Sequence, residues 1–383
     1  MNQFVRIDEG ESMIYLDNSA TTKQHEQVTK TMLTYMERDF GNPSSLYSLG
    51  IAAEKAVKEA RKKVLKAMGQ QEGSLFFTSG GTEADSMAIF GTAMARKRRG
   101  KRIITSEVEH PAVLEACRRL EEEGFEVIRI KVDENCSLDM NQLASAVNDD
   151  TILITVMQVN NETGAIMPIE EINTCKKNAV LHTDSVQAFG KIALPKNADL
   201  ISASSHKIHG PKGIGALWLK KGIHIQPFLV GGGQEFGMRS GTENVPAIAG
   251  FGTAAELTEQ PADLTALRDY LLAGLKEEIA DIKVNSPQDG CPAVLNVSFL
   301  GTKGEVLLHT LEQDGIYVST GSACASNKKG QSHVLKAMGL TEREIEGAIR
   351  FSFGRYNTVS ELDFVLEKVK GAVARFRRLG SFR

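Results

Sequence analysis

Paired cysteines are missing from this sequence. Its five, Cys117, Cys136, Cys175, Cys291 and Cys324, are odd in number, scattered, and nowhere spaced as C-x-x-C. That argues against a disulfide framework and a structural zinc site, so each reads as a free thiol. A strong charge of either sign is also missing. The formal net charge is −3, which points to neither nucleic acid nor membrane as a bulk electrostatic partner. No apolar run approaches the ~20 residues needed to span a bilayer, and no basic stretch followed by an apolar one opens the chain. Internal repeats and low-complexity linkers are absent. The expectation left is a cytoplasmic globular protein. Its 383 residues, 42% hydrophobic and 24% charged, are enough for a large core and more than one domain.

What is present is an alternation of strand-like and helix-like segments. "LFFTS" (75–79) reads as a buried strand and "GTEADSMAIFGTAMA" as the helix after it. "RIITSEV" (102–108) is a strand, and "PAVLEACRRLEEEG" (111–124) is a helix opened by Pro111. "TILITVMQV" (151–159), "VLHTD" (180–184) and "DLISASS" (199–205) are further strands. Their nearly continuous apolar runs suit strands covered on both faces by helices. The pattern predicts an α/β fold with a mainly parallel sheet, whose ligands gather at the carboxyl ends of the strands. Beyond residue 257 the texture changes. An amphipathic helix (261–280), a strand-like "AVLNVSFL" (293–300) and a charged terminal helix (360–378) predict a smaller α+β domain. The expected division is 13–257 and 258–383, with residues 1–16 packing near the second part. The basic run "RKRRGKR" (96–102) reads as a solvated helix end.

Three stretches carry chemistry. In "FTSGGTEAD" (77–85) a strand ends in a Ser-Gly-Gly-Thr turn and a helix begins at once. The free N–H groups of such a helix start suit a phosphate, although a plain capped turn would look the same. In "LHTDSVQAFGK" (181–191), Asp184 ends an apolar strand, where a carboxylate is costly unless paired; a helix N-cap is the plainer reading. In "SASSHKIHGPKGIGALWL" (202–219), Lys207 follows a buried strand, beside Ser204 and His206. Partial desolvation there would make its amine a usable nucleophile. No carboxylate or cysteine spacing accompanies His206 and His209, so no metal is expected. Pyridoxal phosphate needs a lysine for its aldehyde, an acid for its ring nitrogen and a cradle for its phosphate, and so would use all three stretches. His110 in "SEVEHPAV" (106–113) could stack on its ring and move protons, or merely cap a helix.

Ordered along the chain are "YLDNSATT" (15–22), "FGNPSS" (40–45), "SGGTEAD", "EHPAV", "VNNETGAI" (159–166), "HTDSVQAFGK", "SSHKIHGPKGIGAL", "RSGTENVPAIAG" (239–250), "STGSACAS" (from 319) and "RFSFGRYNT" (350–358). Together they resemble the cysteine desulfurases of the NifS/IscS type, from about residue 13 to 358. The resemblance implies the aspartate-aminotransferase-like fold of pyridoxal-phosphate enzymes, fold type I: a large domain with a mainly parallel seven-stranded sheet, a small α+β C-terminal domain, and a homodimer. It implies Lys207 as the residue bonded to the cofactor. It places His110 on the ring, Asp184 at the ring nitrogen and Gln187 at the ring hydroxyl. Gly81, Thr82, Ser204 and His206 would hold the phosphate, with Thr242 from the other subunit, and Asn161 would lie near cofactor and substrate. Arg355 would clamp the substrate carboxylate with its planar guanidinium. L-cysteine would become alanine. The Cys324 thiolate would take the sulfur as a persulfide and pass it to an acceptor, through a loop whose small residues are poor core material.

Three departures qualify the match. Residues 1–12 precede the usual family start, Tyr47 stands where a histidine is common, and the chain stops soon after its terminal helix. The last suggests a dedicated acceptor such as a tRNA-thiolating enzyme rather than an iron–sulfur scaffold. "STGSAC" fits the first desulfurase group; the Arg-x-Gly-His-His-Cys of the second, more often selenocysteine-lyase-like, is absent. The rival readings are another fold-type-I enzyme, such as an aminotransferase or lyase, which leaves Cys324 unexplained, and an inactive scaffold.

Overall fold

Strands apolar on both faces need cover on both faces, and that requirement shapes the large unit. The computed structural model describes residues 13–70, 72–259, 262–320 and 331–380; Cys324, Lys328 and Lys329 lie outside them. The described strands are β1 (Ile14–Tyr15), β2 (Ser74–Thr78), β3 (Arg102–Ser106), β4 (Glu126–Ile130), β5 (Thr151–Thr155), β6 (Val180–Asp184), β7 (Leu200–Ser204), β8 (Gly215–Leu219), β9 (Ile282–Val284), β10 (Val294–Phe299), β11 (Ile316–Tyr317) and β12 (Ala348–Ser352).

Seven of them form one sheet in the order β2-β8-β7-β6-β5-β3-β4. Only β8 pairs antiparallel, with β2 and with β7, so the other six run one way. Successive side chains point to opposite faces. Ile103, Leu153, Val180 and Leu200 pack with the helices Gly81–Arg96 and Pro111–Glu122. Their neighbours Ile104, Ile154, Leu181 and Ile201 join a second core with Val57, Val64, Ile248 and Phe251 from the helices Ser48–Ala67 and Val245–Leu257.

The C-terminal part builds on an antiparallel sheet, β12-β10-β9. The helices Leu264–Glu278, Gly304–Gln313 and Val359–Arg378 pack Leu271, Leu307 and Val369 against Phe299 and Phe351. Ile14 and Leu16 belong to this core, and β1 pairs with β11. The next residues cross to the large sheet, where Thr22 N–H donates to the His206 carbonyl (3.0 Å). In return, Val334, Leu335 and Met338 pack into the large core.

Several predicted boundaries move inward. The strand expected over 102–108 ends at Ser106, because the chain turns at once into the helix capped by His110. Regular pairing expected to residue 159 stops at Thr155. The helix expected from 261 starts at Leu264, after Asp263 accepts from the Ala266 N–H. Between the neighbouring strands β6 and β7 lies a chain of turns rather than a crossover helix.

Candidate active site

Because six strands of the sheet run the same way, their carboxyl ends share one edge, and the site grows there. After β2 come Gly81 and Thr82, after β3 His110, after β5 Asn161. Asp184 ends β6, with Gln187 following, and Ser204 ends β7, followed by His206 and Lys207. All nine line one cavity of about 200 Å³, together with Ser19, Ala20, Asp85 and Arg350.

Asp184 is buried and accepts from the Val186 N–H (2.9 Å). Burial pushes its carboxyl above the usual range, against the pull of His110 and Lys207. The Lys207 ammonium donates to the carbonyls of Ser19 and Ala20, the latter at 2.7 Å. His110 caps its helix, its Nδ1 accepting from the Ala112 N–H (3.1 Å), and burial lowers its pKa. Burial and then the neighbouring Lys207 push His206 down to about 4, so it is neutral at pH 7. The turn before the helix is tightly packed: a Cβ on Gly81 would stand 2.8 Å from Val186 Cγ2.

Two expected residues stand apart. Arg355 lines a second cavity of about 240 Å³, which meets the first at Lys207, and its Nη2 donates to the Leu257 carbonyl (2.5 Å). Thr242 lines neither cavity; it borders a separate hollow with Ser79 and Glu243. Cys324 lies outside the described residues.

The chain matches the model of the class-V aminotransferase family over residues 14–365. It is 46% identical to a cysteine desulfurase IscS of Methanosarcina thermophila, over 96% of this chain and 93% of that one. To the IscS of a Clostridium botulinum strain it is 44% identical over 96% of both. The chain belongs to the NifS/IscS cysteine desulfurase family. Among solved structures, a NifS-like protein matches with a TM-score of 0.88 at 37% identity, over 95% of this chain and all of that one. A structure described as SspA in complex with cysteine matches at 0.80 and 32%, over 90% and 100%. The fold is therefore the desulfurase family's pyridoxal-phosphate fold type I.

Desulfurases of this family depend on pyridoxal phosphate, and the cavity's own chemistry fits that group. Among the described residues, the buried Ser204 hydroxyl has no hydrogen-bond partner, and no side chain caps the helix start beside it. Asp184 is a buried carboxylate with no ion pair among the described residues. Among the described residues, no group of three or more His, Cys, Asp and Glu is placed to hold a metal ion. Nor is any described helix long and apolar enough to cross a membrane.

Four buried ionisable groups at or behind this cavity were not legible in the sequence: Asp85 and Arg350 line it, and Glu162 and Glu109 lie outside its wall. Asp85 is buried, lies 3.7 Å from His182 Nε2, and is pushed well up by burial and by Asp184. Arg350 pairs with Asp17 (2.6 Å) and donates to the Asn161 carbonyl (3.0 Å). Glu162 accepts from Ser332 (2.5 Å). Glu109 accepts from Ser106 (2.5 Å) and the Met157 N–H (2.9 Å). Each lay inside a quoted motif, but nothing marked it off from a surface charge.

Burial raises the Glu109 carboxyl from 4.5 to about 8. The folded state thus keeps a proton that the unfolded state loses above pH 4.5. The stability this contributes is full below pH 4.5 and is lost as pH rises through about 8. Relative to Glu109→Gln, the wild type should therefore lose stability from pH 5 to 8, by at most about 1.4 kcal/mol per unit. Urea unfolding of both proteins across that range checks this. A constant difference would mean that Glu109 stays ionised.

Proposed function

We propose that the protein is a pyridoxal-phosphate-dependent cysteine desulfurase that converts L-cysteine to L-alanine and passes the sulfur on through Cys324. The observation that carries the reading is one cavity holding Lys207 and Asp184, delivered by neighbouring parallel strands. When bound, pyridoxal phosphate takes up electrons from the substrate and so weakens its Cβ–S bond. Lys207 holds the cofactor and moves the substrate Cα proton. With the cofactor bound, Asp184 would keep its ring nitrogen protonated, Gln187 would serve its ring hydroxyl, and His110 would lie against its ring and relay protons. Gly81, Thr82, Ser204 and His206 hold the phosphate, joined by Thr242 of a second copy. Asn161 borders cofactor and substrate, and Arg355 takes the substrate carboxylate from the second cavity, which Lys207 also lines.

The "STGSACAS" resemblance gives sulfur transfer to Cys324, and none of the four described thiols is suited to compete for it. Burial raises all four of them: Cys117 and Cys136 to about 12, and Cys175 and Cys291 in the same direction. A thiol so shifted is a poor nucleophile. The Cys324 thiolate attacks the substrate sulfur, an S–S bond forms and the Cβ–S bond breaks. The carbon keeps the electron pair and takes a proton, giving alanine. Carbon is reduced as sulfur is oxidised, so no outside oxidant is needed.

The finer assignments follow from this reading. Residues 13–257 act as the cofactor-binding domain and 258–383 as the small domain. A homodimer is supported by exposed apolar side chains such as Leu46, Tyr47, Val230 and Phe236, and by a Thr242 remote from its own chain's cavity. The acceptor is a cytoplasmic protein, either a tRNA sulfurtransferase or an iron–sulfur scaffold. An aminotransferase or selenocysteine lyase is the less favoured alternative, since the curated relatives named above are cysteine desulfurases.

Peptide mass spectrometry after adding L-cysteine without reductant tests the proposal. The expected result is a Cys324 peptide heavier by one sulfur, with an equal amount of alanine. Unmodified Cys324 and no alanine, in protein loaded with pyridoxal phosphate, would overturn it.

A further inference from the structure

Gln187 and Lys191 stand one turn apart. The chain from 185 to 192 winds with Phe189 N–H donating to the Ser185 carbonyl (2.8 Å) and Ile192 N–H to that of Ala188 (3.0 Å). Such spacing puts residues i and i+4 on one side. Gly190 between them has φ +74°, and a Cβ there would stand 2.7 Å from Ile208 Cγ2 and from Thr258 Cγ2, so the turn is fixed by packing. On this turn Lys191 Nζ donates to Gln187 Oε1 (2.9 Å), and Gln187 Nε2 donates to the Ser19 carbonyl (2.9 Å).

These two bonds settle the orientation of the amide. An ammonium can only donate and a main-chain carbonyl can only accept. A flipped amide would set NH₂ against the ammonium and oxygen against oxygen. With Oε1 accepting from Lys191 and one N–H given to Ser19, Gln187 keeps a second N–H as the donor available to the cavity it lines. Among the described residues the Lys191 ammonium bonds to the Gln187 amide and to no carboxylate, and burial pushes it down to about 8. A partly buried cation without a counter-ion is costly, and its donation to Gln187 gives it a purpose.

We propose that Lys191 is a positioning residue: it locks Gln187 as a hydrogen-bond donor toward the cavity, and so toward the oxygen on the bound cofactor's ring. This rests on the cofactor reading above. A donor favours the ionised form of that oxygen. Losing the donor should therefore raise the pH at which the bound cofactor's visible band changes.

The test is a spectrophotometric pH titration of the protein loaded with pyridoxal phosphate, with cofactor affinity measured alongside. The other charged and titratable groups are unchanged in every variant: Asp85, His110, Asp184, His206, Lys207 and Arg350 around the cavity that Gln187 lines, and His25, His209, Asp263 and Arg355 around the neighbouring one that Lys191 lines, with Cys291 beside Lys191. Lys191→Met is expected to raise the midpoint by about half a unit or more and to weaken cofactor binding roughly threefold or more. Gln187→Ala should do the same, and Lys191→Met should add nothing in its background. Lys191→Arg, which keeps a donor, should restore the wild-type midpoint. Lys191→Ala removes the same donor if the methionine variant does not fold. A shift with Gln187→Ala and none with either Lys191 variant would overturn this inference alone, as would additive shifts. No shift with Gln187→Ala would overturn the role of Gln187 and this inference with it. A wild type that never develops a visible band would overturn the cofactor reading itself.

Discussion

Lys207→Ala should lower alanine release from L-cysteine by at least about 10³-fold. Two roles meet in this side chain, holding the cofactor and moving the Cα proton, and alanine can do neither. The backbone around it does not depend on the amine. Lys207 ends a short 3₁₀ turn, Ser205–Lys207, whose Ile208 N–H donates to the Ser205 carbonyl (3.0 Å). The Thr22 N–H and hydroxyl both donate to the neighbouring His206 carbonyl (3.0 and 2.9 Å). The carbonyls of Ser19 and Ala20 lose an ammonium, but they face a cavity that water can enter. The variant should therefore fold, melt within a few degrees of the wild type, and lose its cofactor on gel filtration. Activity within tenfold of the wild type would remove Lys207 from the chemistry.

Much of the frame could be read from the chain, and the limits have physical causes. "VLHTD" opens on two apolar residues and falls between turn-rich stretches, so both the strand and the position of Asp184 at its end were visible. The direction of β8 was not. "GALWL" is apolar throughout and would suit either sense, and its reversal depends on the turn that precedes Gly215. Buried carboxylates were the hardest to see. Glu109 meets the Met157 N–H, 48 residues away, and Glu162 meets Ser332, 170 residues away. A local pattern carries no trace of such partners, so both looked like surface charges. Arginine shows the same limit. Sequence reasoning singled out Arg355. The structure places Arg350, whose side chain leaves β12 toward Asp17 and Asn161, on the wall of the cavity that holds Asp184 and Lys207, with Arg355 in the neighbouring one, which Lys207 also lines.

Asp184→Asn should lower turnover about 10²- to 10⁴-fold, or about 3–5 kcal/mol of barrier, with little change in KM. Asparagine keeps the shape and can still accept the Val186 N–H that Oδ1 now takes at 2.9 Å. It cannot keep a ring nitrogen protonated, because it carries no charge. The effect on stability runs the other way. Asp184 and Asp85 are both buried; burial raises both carboxyls, and Asp184 raises that of Asp85 further. Removing one of two neighbouring buried carboxylates relieves that repulsion. The cofactor-free variant should then melt no lower than the cofactor-free wild type, while the loaded enzyme turns over far more slowly. That opposition separates a chemical role from a structural one, since a residue needed only for the fold would lower both. Turnover within threefold of the wild type would mean that the ring nitrogen needs no carboxylate. A clear fall in the melting temperature of the cofactor-free protein would mean that Asp184 serves the fold through its charge.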